Sequence, residues 1–169
     1  MEEKYIEAFN QMEKTIIKLA KQLRRESNKE WKRLRENSKE ARRIATDSYQ
    51  KFVDYAVKQG THNGDRWYSL LTEAGYDAII VPGGHMEIRR RKKELHTQNG
   101  RDTLTAEELI RQAIMDLTFT NKIIDEALNT GEFYKKIYPV IKDKMSQYGK
   151  MLENSFLLQD STKTLALAN

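Results

Sequence analysis

Histidine is the side chain that could bring acid–base or metal chemistry to this chain near neutral pH, and it occurs three times, at His62, His85 and His96. No two histidines stand at helical ligand spacing, so the HExxH arrangement that holds zinc on a helix is absent. His62 and Asp65 could reach one cation, but a histidine beside a turn aspartate is more simply a solvated loop residue. Gly83-Gly84-His85 could offer backbone N–H groups to an anion; without a phosphate-loop pattern it reads as a turn. No serine lies in a nucleophile-elbow motif or beside a histidine, and the pair Glu107/Glu108 suits helix capping better than proton transfer. The absence of cysteine removes disulfides, zinc–thiolate sites and thiol nucleophiles together. These residues predict no catalytic group, no metal and no cofactor.

Phosphate recognition is the chemistry the chain is better equipped for, since it asks for Lys and Arg with little further specificity. Residues 24–43 carry nine Lys/Arg against four Glu, and Arg24, Arg25, Lys32, Arg33, Arg35, Arg42 and Arg43 are candidate phosphate contacts there, with Trp31 among them. Arg89, Arg90, Arg91, Lys92 and Lys93 form a second cluster of five consecutive cations. Against this, Glu26, Glu30, Glu36 and Glu40 can pair with the cations along one helix and blunt their field, so a solvated or protein-binding face is the competing reading. The net charge of +5 and a pI near 9.3 favour a polyanion or an acidic protein surface as partner.

The elements that must position these groups are helical. Residues 2–59 contain no proline and no glycine. Phe9, Met12, Ile16, Leu19 and Leu23 alternate three and four residues apart, a single apolar stripe suited to self-association. Ser27 and Asn28 interrupt it, and the stripe resumes at Trp31, Leu34, Ala41, Ala45, Phe52 and Tyr55, thinned by Ser38 and Ser48. An uninterrupted helix over this span would be about 85 Å long at 1.5 Å per residue. Either the helix breaks near residues 27–28, or it finds its apolar partner in another copy.

Gly60 ends that segment, a short helix over 65–74 closes at Gly75, and residues 76–81 and 85–91 flank Pro82-Gly83-Gly84 as a short β-hairpin over 76–91. Thr105 with Glu108 three residues later is a capping box, and Leu109, Ala113, Leu117, Ile124 and Leu128 predict one buried helical stripe up to Gly131. A last helix spans about 133–158, with Pro139 kinking or restarting it, and 161–169 reads as a flexible tail. The chain is thus expected to be mainly α, with a long basic amphipathic helix (1–59), a helical body (60–160) and the tail. No segment approaches the ~20 apolar residues of a membrane span, and no signal-length apolar run opens the chain, so no membrane contact is expected.

Tyr49-Gln50-Lys51-Phe52-Val53-Asp54-Tyr55-Ala56, the loop Gln59-Gly60-Thr61-His62-Asn63-Gly64 and Trp67-Tyr68 resemble a helical domain of antirepressor-type regulatory proteins of phages and mobile elements. Arg101-Asp102-Thr103-Leu104-Thr105 is similar to an R-D-x-L signature of that domain, and Phe133-Tyr134-Lys135-Lys136-Ile137-Tyr138 with Ile141-Lys142 to its Y-K-x-I-Y…K signature. The resemblance covers roughly residues 47–150. It implies a phage-type accessory protein acting by binding in the cytoplasm of a bacterial host. In those proteins the domain follows a separate DNA-binding domain, whereas here a basic helix precedes it. Three functions stay open: nucleic-acid-associated regulation, a protein-directed inhibitor of host machinery such as an anti-defence factor, and a small-ligand protein with a pocket near 60–68 or 81–85.

Overall fold

The computed structural model describes the backbone of residues 2–167 and the side chains of residues 25–157, together with those of Lys14 and Lys18. It is mainly helical, and no strand occurs among the described residues. The chain divides into two units, Met1–Leu34 and Arg35–Asn169.

The first unit is the leading part of helix α1 (Glu2–Lys58). Ser27 and Asn28 are helical and exposed, so the backbone does not break where the apolar stripe lapses. Arg25, Lys29, Lys32 and Arg33 are exposed. The side chains of Phe9, Met12, Ile16, Leu19, Leu23 and Arg24 lie outside the described residues.

The second unit is built around the rest of α1. Ala41, Ala45, Tyr49, Phe52 and Ala56 are buried three or four residues apart, with Val53 beside Phe52, and Ser38 and Ser48 are buried with them. The serines thin the apolar stripe without leaving it, because their hydroxyls donate inside the core: Ser38 to the Arg35 carbonyl at 2.8 Å, Ser48 to the Ile44 carbonyl and to Asn121. α1 stops at Gly60, which adopts φ 98°.

Helix α2 (Gly64–Ile79) starts under the Asn63 side chain, which accepts the Arg66 N–H. It runs straight through the expected stop at Gly75. A Cβ there would lie 3.0 Å from the Tyr49 hydroxyl, so this glycine serves close packing against α1 rather than termination. The hairpin over 76–91 is likewise replaced: α2 extends to Ile79, the Val81–Pro82 bond is cis, and α3 (Gly84–Glu94) follows. Two isolated strands would have no third to pair with, whereas helical backbone meets its own hydrogen bonds.

A 3₁₀ turn (Gly100–Thr103) leads into α4 (Ala106–Ile114), whose start carries the predicted capping box of Thr105 and Glu108. A π-helical segment (Met115–Phe119) joins α4 to α5 (Thr120–Asn129). The buried face here runs through Leu109, Gln112, Met115, Asp116, Thr120, Ile123, Ile124 and Ala127, whereas Leu117, placed in the stripe by its hydrophobicity, is 52% exposed. Two polar residues, Gln112 and Asp116, occupy the core positions, and the π turn, in which the Thr120 N–H reaches back to the Met115 carbonyl, adds a residue to the count.

Helix α6 (Tyr134–Leu167) continues through Pro139, so its backbone is helical to Leu167, into the stretch expected as a tail. It packs chiefly along α2 and also against α5. Gly149 permits the close approach to α2, since a Cβ there would sit 1.9 Å from the Ala78 carbonyl oxygen. At the other end Trp67 meets Tyr134 and Tyr138 edge-on at 5.1 and 5.4 Å, with Phe52 beside them.

Candidate functional site

The basic run 89–93 lies on α3, where helical spacing distributes its charges over different faces. Arg91 turns inward: it donates to Glu87 at 2.9 Å and to both carboxylate oxygens of Glu108 at 2.7 and 3.1 Å. Arg89 pairs with Glu73, and Arg90 with Glu87 and Glu94. Hydrogen bonds from Arg90 and Arg91 pull the Glu87 carboxyl down to about 2. Arg89, Arg90, Lys92 and Lys93 line an open groove of about 880 Å³ with Met86, His96, Thr97 and Gln98. Neither Lys92 nor Lys93 has a carboxylate partner among the described residues.

The second concentration of charge could not be seen in the sequence as a unit. Arg35, Lys39 and Arg42 occupy successive turns of α1, and they face Tyr76 of α2 and the Asn99–Arg101 turn across a recess of about 350 Å³. The Asn99 side chain accepts the Arg101 N–H at 3.0 Å, and the Thr103 hydroxyl donates to the Gly100 carbonyl at 2.6 Å, which fixes the turn. Gly100 has no side chain because Ile88 and the Tyr76 hydroxyl crowd it; a Cβ would stand 2.8 and 2.9 Å from them. Arg101 is 4% exposed. Its Nη2 donates to Asp116 at 2.6 Å, while Nε and Nη1 are buried without a partner. Asp116 also accepts from Gln112, and its burial pushes the carboxyl above the usual aspartate range against the pull of Arg101 and Arg42. Arg42 donates to the Thr72 hydroxyl at 3.2 Å and lies over the Tyr49 ring at 5.3 Å, rather than pairing with a carboxylate. Arg35 pairs with Asp102 at 2.8 Å, and Lys39 with the exposed Glu36.

Of the predicted contacts, the structure therefore brings Arg35 and Arg42 into one recess and Arg89, Arg90, Lys92 and Lys93 into one groove. Arg91 becomes an internal strut. Arg43 is exposed and paired with Glu40, while Arg25, Lys32 and Arg33 belong to the first unit. The two loops weighed as ligand pockets carry hydrogen bonds of their own. Asp77 accepts the His85 backbone N–H at 2.9 Å and contacts its ring Nδ1 at 2.7 Å, while the Gly84 N–H donates to the Ile80 carbonyl at 2.8 Å. In the 60–68 loop the Trp67 indole N–H donates to Thr61.

Arg101, Asp116, Gln112, Tyr49, Tyr76 and Asn99 were missed as site residues. Arg101 and Tyr49 carried a signal only as members of the segments quoted for the resemblance. Asp116 sits in a helix whose period hides it, and the remainder are polar or aromatic residues of ordinary appearance.

The sequence matches no family model, and no curated protein or solved structure matches it. Among the described residues no group of three or more His, Asp or Glu could hold a metal ion, and no helix is long and apolar enough to cross a membrane.

Proposed function

We propose that this chain is a non-enzymatic accessory protein that associates with nucleic acid through its basic helical surfaces, a phage-type regulatory protein working in the cytoplasm of a bacterial host. The observation that carries this reading is the α3 groove, where Arg89, Arg90, Lys92 and Lys93 converge and two of the four cations lack a carboxylate partner. Such a surface suits the phosphate backbone and reads no bases. The exposed cations Arg25, Lys29, Lys32 and Arg33 of the first unit add charge of the same kind.

Fluorescence anisotropy with duplex DNA, single-stranded DNA and RNA at several salt concentrations tests it. Affinity should fall with salt by about 0.7–0.9 logarithmic units per tenfold salt for each phosphate neutralised, and be similar across sequences. Lys92→Glu with Lys93→Glu should weaken every nucleic acid alike. Arg91 is unsuitable for this test because its loss disturbs α4. Absence of binding at low salt would overturn the reading.

A second reading draws on a specific observation: Met86 lines the basic groove at 59% exposure, and Leu95 at the end of α3 is 60% exposed. Cations beside uncovered apolar side chains suit an acidic, partly apolar protein surface, as a protein-directed inhibitor of host machinery would need. Binding that resists salt and is lost in Met86→Glu would favour this second function.

A further inference from the structure

We propose that the recess bounded by Arg35, Lys39, Arg42, Tyr76, Asn99 and Arg101 is a binding site for a single phosphate group, separate from the α3 groove. Four cationic side chains reach it from two elements, three on α1 and one on the 3₁₀ turn. The deciding feature is Arg101. A guanidinium so deeply buried is normally surrounded by acceptors, yet Asp116 engages only Nη2, and Nε and Nη1 have none. Both atoms are closed to water in this conformation, so an anion entering the recess would draw the guanidinium towards it to engage them.

The surrounding groups are arranged in the same sense. Arg42 brings a cation partnered by a hydroxyl and an aromatic face, so its charge is not cancelled by direct contact. Lys39 is held only by an exposed Glu36 three residues away, and such surface pairs are weak and readily exchanged. Asn99 and Gly100 preset the turn that carries Arg101, and the volume of about 350 Å³ lies at the small end of the roughly 300–1,000 Å³ typical of ligand sites. A phosphate needs donors on several sides, with Arg as the preferred fork and Lys as a point charge. The recess supplies both.

The same chemistry is shared by inorganic phosphate, a nucleoside monophosphate and the terminal phosphate of an oligonucleotide, and the test separates them. The full chain is titrated by calorimetry with each: inorganic phosphate, adenosine monophosphate, and one oligonucleotide with and without a 5′-phosphate. Saturable one-to-one binding of at least one phosphate-bearing probe is expected, weakened about tenfold or more by Lys39→Gln and by Arg42→Gln. Lys92→Gln with Lys93→Gln should leave the inorganic phosphate and monophosphate isotherms unchanged. The strongest binder identifies the source; a preference for the 5′-phosphorylated strand over its unphosphorylated twin assigns the site to nucleic-acid ends. Melting temperatures of the variants, measured without phosphate, show that each is folded, and Lys39 is exposed enough for its replacement to be neutral. The proposal is overturned if no probe binds saturably, if Lys39→Gln and Arg42→Gln bind as wild type, or if binding disappears with the α3 lysines. Because nucleic-acid association through α3 is read with the Lys92/Lys93 variant, either idea can fail while the other stands.

Discussion

Arg101 and Asp116 are each nearly inaccessible to water, and each makes the other's burial tolerable. Asp116→Asn removes the countercharge while the guanidinium stays inside, which should destabilise the protein by about 3–5 kcal/mol in urea unfolding. Replacing both by apolar residues of similar size, Arg101→Met with Asp116→Leu, should cost far less, because no charge is then left unpaired. Equal losses from the single and double variants would mean that packing, not charge, governs this position. Glu87 gives a different, pH-dependent signature. Its carboxyl is drawn from the ordinary 4.5 to about 2 by Arg90 and Arg91. A depressed acid contributes stability that is complete above its unfolded value and lost as pH falls through the folded one. Melting temperature should therefore decline between about pH 4.5 and 2, and Glu87→Gln should flatten part of that decline.

The helices hold together through a few positions where shape is unforgiving. Gly149→Ala would drive a methyl into the Ala78 carbonyl and force α6 away from α2, costing at least about 1–3 kcal/mol by thermal or urea unfolding. Tyr138 packs on Phe52 and Trp67 and donates its hydroxyl to the Leu70 carbonyl, so Tyr138→Ala should cost about 3 kcal/mol, while Lys135→Ala and Lys136→Ala stay within about 0.5 kcal/mol. A Tyr138→Ala protein that melts like wild type but loses its partner would make the tyrosine a contact surface instead. These elements were readable from sequence to different depths. Thr105 and Glu108 announce α4 because a capping box is local chemistry, and the stop at Gly60 is local too. Gly75 looks like Gly60 in sequence; only the Tyr49 hydroxyl above it, 26 positions away in the chain, distinguishes a packing glycine from a stop. The stripe through Leu117 failed because hydrophobicity cannot flag Gln112 and Asp116 as core residues when Arg101, the partner of Asp116, arrives from another segment. The recess escaped notice for the same reason, since its cations come together only after α1 and the 3₁₀ turn are packed.

At the scale of the whole chain, the sequence stripe Phe9, Met12, Ile16, Leu19 and Leu23 has the spacing of a self-association seam. Large apolar side chains left in water forfeit roughly 1.5–3 kcal/mol each, so self-association through this stripe is expected, and Ile16→Asp with Leu19→Asp should convert an oligomer to monomer in light scattering. A wild-type monomer at high concentration would refute it. The two basic surfaces also differ in how they sit in the molecule. Lys92 and Lys93 can be changed with little effect elsewhere, but Arg91 shares the Glu108 carboxylate with the first turn of α4: one oxygen, Oε2, accepts from Arg91 at 2.7 Å and from the Thr105 backbone N–H at 2.9 Å. A helix cap and an interhelical ion pair thus draw on the same two lone pairs. Amide hydrogen exchange would expose that link. Arg91→Gln should speed exchange at Thr105 and Glu108, residues it precedes by more than a dozen positions, and a polyanion docking on α3 that tugs Arg91 outward would quicken the same amides, giving a spectroscopic report of occupancy from a turn the ligand never touches.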